Sequence, residues 1–292
     1  MNIRQPQAAY RGFYESSPSS CRHHVDKLLD SAQVPDNLPG RLYGGLVPHA
    51  GWGYSGRLAA MTFKALAAAG PIDTVVLLGA VHVGGVRMGE VFDSGVWQTP
   101  LGEVFVDEEL AAALLRGDTC FRANPQAHAD EHSIEVQVPL LQVACPQAKI
   151  VPVAVPPTEL ALRIGRAIGD VLAERFPRAV VVGSTDLTHH GGPNFPAPGG
   201  RGEAGVRWTV ANDRRMIDLV EAMKTEQVLP EYRQRMNACG AGAVAAAMAA
   251  AGRLGASRGI CLAYTNCHEV IQHLYPGNTD DTTVGYASVV FA

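Results

Sequence analysis

IDTVVLLG, at residues 72–79, is the stretch that most directly predicts the fold, because its apolar side chains run on without alternating with polar ones. Such a run is typical of a strand buried on both faces, as in a parallel sheet covered by helices. Comparable patterns predict strands at 41–47, 149–155, 178–183, 258–265 and 283–291, with helices at 55–69, 107–116, 132–145, 158–176, 208–223 and 239–254. Strands and helices alternate along the chain, so we expect an α/β fold with a largely parallel central sheet.

Two segments lack this regular pattern. Within residues 90–106, short strand-like stretches alternate with turn signals, which predicts a hairpin or meander. Residues 191–205 are rich in glycine and proline, which predicts an irregular loop that can act as a mobile lid.

Composition narrows the classes of function. The chain has 292 residues, 47% of them hydrophobic, and no repeat or clear linker divides it, so residues 1–292 are expected to form one domain. A net charge of -4 and a pI near 6.2 argue against a nucleic-acid partner. The apolar stretches are too short to cross a membrane, and the N-terminus lacks the apolar core of a secretory signal, which predicts a cytoplasmic location. Six scattered cysteines without a CxxC pair predict free thiols and exclude a zinc ribbon.

Five residues that can bind a metal ion or move a proton lie where predicted strands end or a helix begins: His49, His82, Asp186, His189 and Cys239. In open α/β sheets, ligands bind beyond the carboxyl ends of the strands, so these residues are expected to converge. An aspartate can orient an imidazole for acid/base chemistry, and a helix N-terminus lowers the pKa of a thiol. The alternatives are a turn-capping Asp186 and a buried, inert Cys239.

Two motifs suggest other chemistry. Gly51, Gly53 and Gly56 match the dinucleotide-binding fingerprint, but the end of the next strand offers no acidic residue for the ribose. His128 and His132 match the HxxEH pattern of some zinc peptidases, which requires both histidines on one helical face. Asp130 is a candidate helix cap between them, so we expect His128 to lie outside the helix.

Five ordered motifs together resemble those of a known family. They are PHAGWGYSG (48–56), LLGAVHVGG (77–85), DEHSIEVQVPLLQ (130–142), GSTDLTHHG (183–191) and NACGAGAV (237–244). The chain resembles the Memo family, also called AmmeMemoRadiSam system protein B, which is similar to class III extradiol dioxygenases. The resemblance implies a three-layer α/β/α fold with a mixed, largely parallel central sheet.

The resemblance also implies roles for individual residues. It makes His49, His82 and Cys239 metal ligands and places His189 and Asp186 beside the metal as catalytic residues. His132 and Tyr54 would line the substrate pocket. The dioxygenases hold Fe(II) with two histidines and a carboxylate, so Fe(II) is the expected metal. Here a thiolate would replace the carboxylate, and this softer ligand makes copper and zinc the alternatives.

Three functions are compatible with these residues and motifs. The first is an iron-dependent oxidoreductase that acts on a small aromatic diol. The second is a non-catalytic copper- or iron-binding redox scaffold that binds a peptide or protein partner in the same cleft; an oxidation-sensitive Cys239 favours it. The third is a zinc peptidase built on His128 and His132. Assembly into a homo-oligomer is compatible with each.

Overall fold

A computed structural model describes residues 2–292, which form ten helices and twelve strands. The strands are β1 (Ile3–Arg4), β2 (Gly44–Val47), β3 (Thr74–Gly79), β4 (Gly89–Val91), β5 (Val96–Thr99), β6 (Gly102–Phe105), β7 (Phe121–Ala123), β8 (Lys149–Ala154), β9 (Ala179–Ser184), β10 (His189–His190), β11 (Gly259–Asn266) and β12 (Thr283–Phe291). The helices are α1 (Gln7–Tyr10), α2 (Pro18–Ser31), α3 (Trp52–Ala68), α4 (Glu108–Gly117), α5 (Val138–Ala144), α6 (Leu160–Arg175), α7 (Glu203–Glu221), α8 (Val228–Arg235), α9 (Ala241–Leu254) and α10 (Cys267–Leu274).

The central sheet is mixed and has parallel strands at its middle. Its order is β10-β12-β2-β9-β3-β8-β4-β7, and β11 pairs with β12. Strands β2, β9, β3 and β8 are mutually parallel, whereas β12 runs antiparallel to β2 and β4 antiparallel to β8. All six residues of β3 and all six of β9 are buried, as the unalternated apolar runs predicted.

Helices cover both faces of this sheet, which confirms the three-layer α/β/α prediction. Helices α2, α3 and α5 pack together on one face, and α6, α7 and α9 lie on the other. Helix α9 consists mostly of alanine and glycine and is buried along most of its length. It approaches α6 very closely because Gly165 has no side chain: a Cβ there would lie 2.2 Å from the carbonyl oxygen of Ala246. None of the helices within residues 2–292 is long and apolar enough to cross a membrane.

Two predicted boundaries near the site were wrong. The helix predicted over 132–145 begins only at Val138, after a short 3₁₀ turn over 135–137. Pro139 lies in its first turn, where a missing amide hydrogen costs nothing, so the proline starts this helix rather than kinking it. Helix α7 begins at Glu203, inside the segment predicted to be a loop, because Gly202 caps it with a φ of 59°.

The segment predicted as a hairpin or meander divides between two sheets. Strand β4 joins the central sheet, while β5 and β6 form an antiparallel pair that β1 extends to three strands. Arg4 of β1 is almost fully buried and donates to the carbonyl oxygens of His128 and Glu131, at 3.0 and 2.7 Å, and to the Glu135 carboxylate. The N-terminal strand therefore holds the main chain at residues 128 and 131 and the side chain of Glu135.

Candidate metal centre

Three loops and one helix start meet at the carboxyl edge of the central sheet. Strand β9 lies between β2 and β3, so the loops carrying His49, His82 and Asp186 are neighbours. Cys239 reaches the same point from the residues just before α9. One ligand atom each from His49, His82 and Cys239 lies within 4.8 Å of the other two, and Cys239 Sγ lies 3.1 Å from His49 Nε2. The three residues expected to bind metal are therefore brought together.

The hydrogen bonds of Ser184 determine which nitrogen of His49 is free. The Ser184 hydroxyl donates to the carbonyl oxygen of Ser133 at 2.8 Å, so its oxygen accepts the hydrogen of His49 Nδ1 at 2.9 Å. His49 Nε2 then carries a lone pair toward Cys239 and His82. Burial, followed by the neighbouring His132 and His82, lowers the pKa of His49 well below its usual value. The ring is thus neutral and ready to bind a metal.

A buried carboxylate holds His82 in the same way. Glu131, only 1% exposed, accepts from His82 Nδ1 at 2.9 Å, from the His82 amide at 2.6 Å and from the Ser133 amide at 3.0 Å. Burial alone would raise the pKa of Glu131, but its bonds to His82 and Ser133 lower it far below the usual range. Burial alone would lower the pKa of His82, and Glu131 outweighs it and raises that pKa. A carboxylate on the second nitrogen is the usual support of a metal-binding histidine.

Asp186 connects the loops that carry the other two ligands. Its Oδ1 accepts from the amides of His49 and Ala50 at 2.7 and 3.3 Å, and its carbonyl oxygen accepts from the Cys239 amide at 3.1 Å. Burial raises the pKa of Asp186 to about 7. Within residues 2–292, the hydrogen bonds of this carboxylate go to main-chain amides rather than to an imidazole, and a catalytic role for Asp186 stays a prediction.

Of the remaining predicted site residues, His132 lies directly beside this cluster. The His132 ring lies 4.7 Å from that of His82 and 5.3 Å from that of His49, and burial followed by the charge of His82 lowers its pKa to about 4. His189 Nδ1 donates to the carbonyl oxygen of Leu187 at 3.1 Å, which leaves Nε2 as an acceptor, and burial lowers the pKa of His189. Tyr54 is 44% exposed on the first turn of α3. The pocket roles of His132 and Tyr54 stay predictions.

The pKa of the Cys239 thiol is shifted in the direction opposite to the one expected from its position before a helix. Burial, followed by the neighbouring Asp186, raises the pKa of the thiol instead of lowering it. A bound cation reverses this effect, because coordination deprotonates a thiol. Two imidazole nitrogens whose rings are already held, with one sulfur atom, form a borderline-to-soft donor set that suits iron, copper or zinc. The residues present therefore fit a transition-metal ion.

The two misleading motifs serve structural purposes. His128 is completely buried and its Nε2 donates to the carbonyl oxygen of Glu90 at 2.8 Å, away from the ligand cluster. Residues 129–134 form no helix, so the one-turn spacing that a helical HxxEH site needs is missing. A Cβ on Gly56 would lie 2.8 Å from Leu28, which indicates that this glycine allows α3 to pack closely against α2.

Sequence reasoning did not identify the residues that support the ligands. In the sequence, Glu131 stands out only as part of the HxxEH and DEHSIEVQVPLLQ motifs, and Ser184 only as part of GSTDLTHHG. One signal was available, since a histidine ligand usually donates its second ring hydrogen to a carboxylate or a similar acceptor. Phe13 was also missed: its ring lies 4.5 Å from His132.

Comparisons with known proteins identify the family of this chain. Residues 4–290 match the family model described as Memo-like protein. A MEMO1 family protein of Methanopyrus kandleri is 35% identical, over 99% of this chain and 98% of its own length. One from Methanothermobacter thermautotrophicus is 33% identical, over 98% and 99%.

A crystal structure provides a comparison of the fold alone. It is that of an uncharacterized protein from Escherichia coli K12, and it has a TM-score of 0.54 over 86% of this chain and 100% of that chain, at 12% identity. The family match spans nearly the whole chain, and it includes each strand end that carries a candidate ligand. The chain therefore belongs to the Memo family.

Proposed function

We propose that this protein is a metal-dependent oxidoreductase, similar to class III extradiol dioxygenases, that acts on a small aromatic diol. The observation that carries the proposal is the cluster of His49, His82 and Cys239, whose ligand atoms lie within 4.8 Å of one another. Ser184 and Glu131 occupy the second nitrogens of the two imidazoles, so both rings offer their remaining nitrogen. Three protein ligands leave coordination positions open for other molecules.

The expected metal is Fe(II), with copper or zinc as alternatives. When bound, Fe(II) would supply the redox and Lewis-acid chemistry that oxygenation of a diol requires. The thiolate of Cys239 would replace the carboxylate of the dioxygenases and make the site softer. The neutral state of His49 favours binding, since the ion does not have to displace a proton from this ring.

His189 is the residue that would accept a proton from the hydroxyl group of the substrate. Its Nδ1 hydrogen is already donated to Leu187, so Nε2 has a free lone pair, and its lowered pKa keeps the ring neutral. The Phe195 ring lies 5.0 Å from the His189 ring and helps to exclude water from it. A neutral imidazole is a suitable general base near neutral pH.

A second function is favoured by the contact between Cys239 Sγ and His49 Nε2, at 3.1 Å. A soft sulfur ligand next to an imidazole is typical of copper sites, and a thiolate beside activated oxygen is sensitive to oxidation. We therefore retain a non-catalytic copper- or iron-binding redox scaffold, with a peptide or protein partner in the same cleft, as the alternative.

Oxygen consumption distinguishes the two functions. The protein would be loaded with Fe(II) without oxygen and then mixed with oxygen and a panel of catechols. The oxidoreductase predicts uptake that His189→Gln abolishes while the metal content is retained, and that His128→Gln does not change. Absence of uptake with every catechol, in protein that holds one Fe(II) per chain, would contradict the oxidoreductase and favour the scaffold.

A further inference from the structure

We propose that Asp213 is a positioning residue that orients the imidazole of His189 through a single peptide group. Asp213 lies on α7 and is completely buried, and it takes no part in the metal centre. Its Oδ1 accepts the amide hydrogen of Thr188 at 2.8 Å, and its Oδ2 accepts the hydroxyl hydrogen of Tyr264 at 2.7 Å. A buried carboxylate needs such donors, and one of them belongs to the segment that carries His189.

The connection to His189 follows from the covalent structure of the peptide bond. The Thr188 amide that donates to Asp213 and the Leu187 carbonyl that accepts from His189 Nδ1 belong to the same planar group. Fixing the N–H direction therefore fixes the direction of the C=O on the other side of that plane. A carboxylate at one end also polarises the group, which makes the carbonyl oxygen at the other end a stronger acceptor.

The surroundings of Asp213 also hold the rest of Thr188, on either side of this peptide group. The carbonyl oxygen of Thr188 accepts from the Gly285 amide at 3.1 Å, and the Thr188 hydroxyl accepts from Asn212 Nδ2 at 3.0 Å. Gly285 leaves room for the carboxylate, because a Cβ at that position would lie 1.8 Å from Asp213 Oδ2. Two separate elements, α7 and β12, thus contact the residue immediately before His189, and β11 holds Asp213 itself through Tyr264.

The consequence concerns the tautomer of His189. A well-oriented and polarised Leu187 carbonyl favours the form with hydrogen on Nδ1, which leaves Nε2 able to accept a proton. That acceptance is useful only if His189 handles a substrate proton, so this last step rests on the proposed function. The orientation of the ring by Asp213 does not depend on it.

The tautomer can be measured directly in the folded protein without any substrate. ¹⁵N–¹H correlation spectra of the imidazole distinguish the two forms, and a His189→Gln variant assigns the signals. The spectra would be taken at one alkaline pH, where Asp213 is ionised and His189 is neutral. The test variants are Asp213→Ala, which removes the acceptor, and Asp213→Asn, which keeps an acceptor oxygen without charge.

Asp107 provides a matched control at the opposite edge of the sheet. It is a buried aspartate that, like Asp213, accepts from one amide, that of Leu110, and from one hydroxyl, that of Thr74. The Asp107→Asn substitution therefore removes the same kind of charge without touching the segment before His189.

We expect the ratio of Nδ1–H to Nε2–H forms to fall about tenfold in Asp213→Ala and about threefold in Asp213→Asn, with no change in Asp107→Asn. Should the alanine variant fail to fold, the asparagine variant decides. A wild-type ratio in folded Asp213→Asn, or an equal fall in Asp107→Asn, would overturn the proposal. Lack of catechol turnover would count only against the proposed function, because the tautomer measurement needs no turnover.

Discussion

Replacing Glu131 by glutamine is expected to weaken metal binding strongly although Glu131 is not itself one of the three proposed ligands. Its carboxylate accepts three hydrogen bonds, from His82 Nδ1, the His82 amide and the Ser133 amide, with N···O distances of 2.9, 2.6 and 3.0 Å. Glutamine has one acceptor oxygen, so its NH₂ group must face at least one of these donors. The substitution also removes the negative charge that makes the His82 ring a better ligand.

The expected loss of affinity is about 10–100-fold, or roughly 1.4–2.7 kcal/mol, which is typical of a lost carboxylate support. The measurement is a titration of the apoprotein with Fe(II) or Zn(II), in competition with a chelator of known affinity. Circular dichroism would verify that the variant is folded.

Asp130→Asn is the matched control because it removes the neighbouring charge from an exposed residue that pairs with Arg11. It should bind metal as the unsubstituted protein does. Equal affinities for Glu131→Gln and the unsubstituted protein would refute the reasoning, as would an equal loss in Asp130→Asn.

Three other perturbations have expected outcomes. Cys239→Ala removes a ligand, so it should lower the affinity for metal by more than the roughly 10–100-fold expected for loss of a supporting carboxylate. Elemental analysis of the purified protein measures the metal that remains bound. His128 is fully buried with a pKa near 4, against 6.5 in the unfolded chain, so the unfolded state takes up a proton first as the pH falls. Stability should therefore drop between pH 6.5 and pH 4, by about 3 kcal/mol from this residue, and urea unfolding of His128→Gln should show a smaller drop. Gly285→Ala should cost about 1–3 kcal/mol in urea unfolding, because the new methyl group would overlap Asp213.

The Cys239 and Gly285 substitutions each have a control within the same chain. Cys145→Ala changes a buried cysteine in the connection between α5 and β8 and should leave the metal content unchanged. Gly252→Ala places a methyl group on α9 where nothing lies within 4 Å, and it should stabilise the protein by about 0.5–1 kcal/mol. Full metal content in Cys239→Ala would contradict the first prediction. The second would be contradicted if His128→Gln lost as much stability between pH 6.5 and pH 4 as the unsubstituted protein. The third would be contradicted if Gly285→Ala were as stable as the unsubstituted protein.

The sequence alone was sufficient to predict that the five site residues converge, whereas the choice of His49, His82 and Cys239 as ligands was implied by the family resemblance. Parallel strands end at one edge of a sheet, so His49 and His82 converge once β2 and β3 are recognised as buried strands. Cys239 follows from the alanine-rich helix it precedes. These are local patterns, and each can be recognised without knowledge of the loop conformations.

The supporting contacts depend on packing that no local pattern contains. Glu131 reaches His82 from a loop whose Glu131 carbonyl is held by Arg4, more than 120 residues earlier in the chain. Ser184 supports His49 because β9 lies beside β2, an adjacency that strand order in the sequence does not give. By contrast, helix α2 was missed despite a readable signal, since Ser17 caps it and Pro18 occupies its first position.

The main-chain bonds of Asp186 have a consequence for how the centre accommodates ions of different radius. This residue binds the amides of His49 and Cys239, so those two ligands are fastened to one support, while His82 is fastened separately to Glu131. Displacement of the loop at Asp186 moves nitrogen and sulfur together and preserves their spacing. The gap to His82 is then the adjustable dimension of the centre, and exchange of one metal for another should alter the position of His82 more than that of the other two ligands.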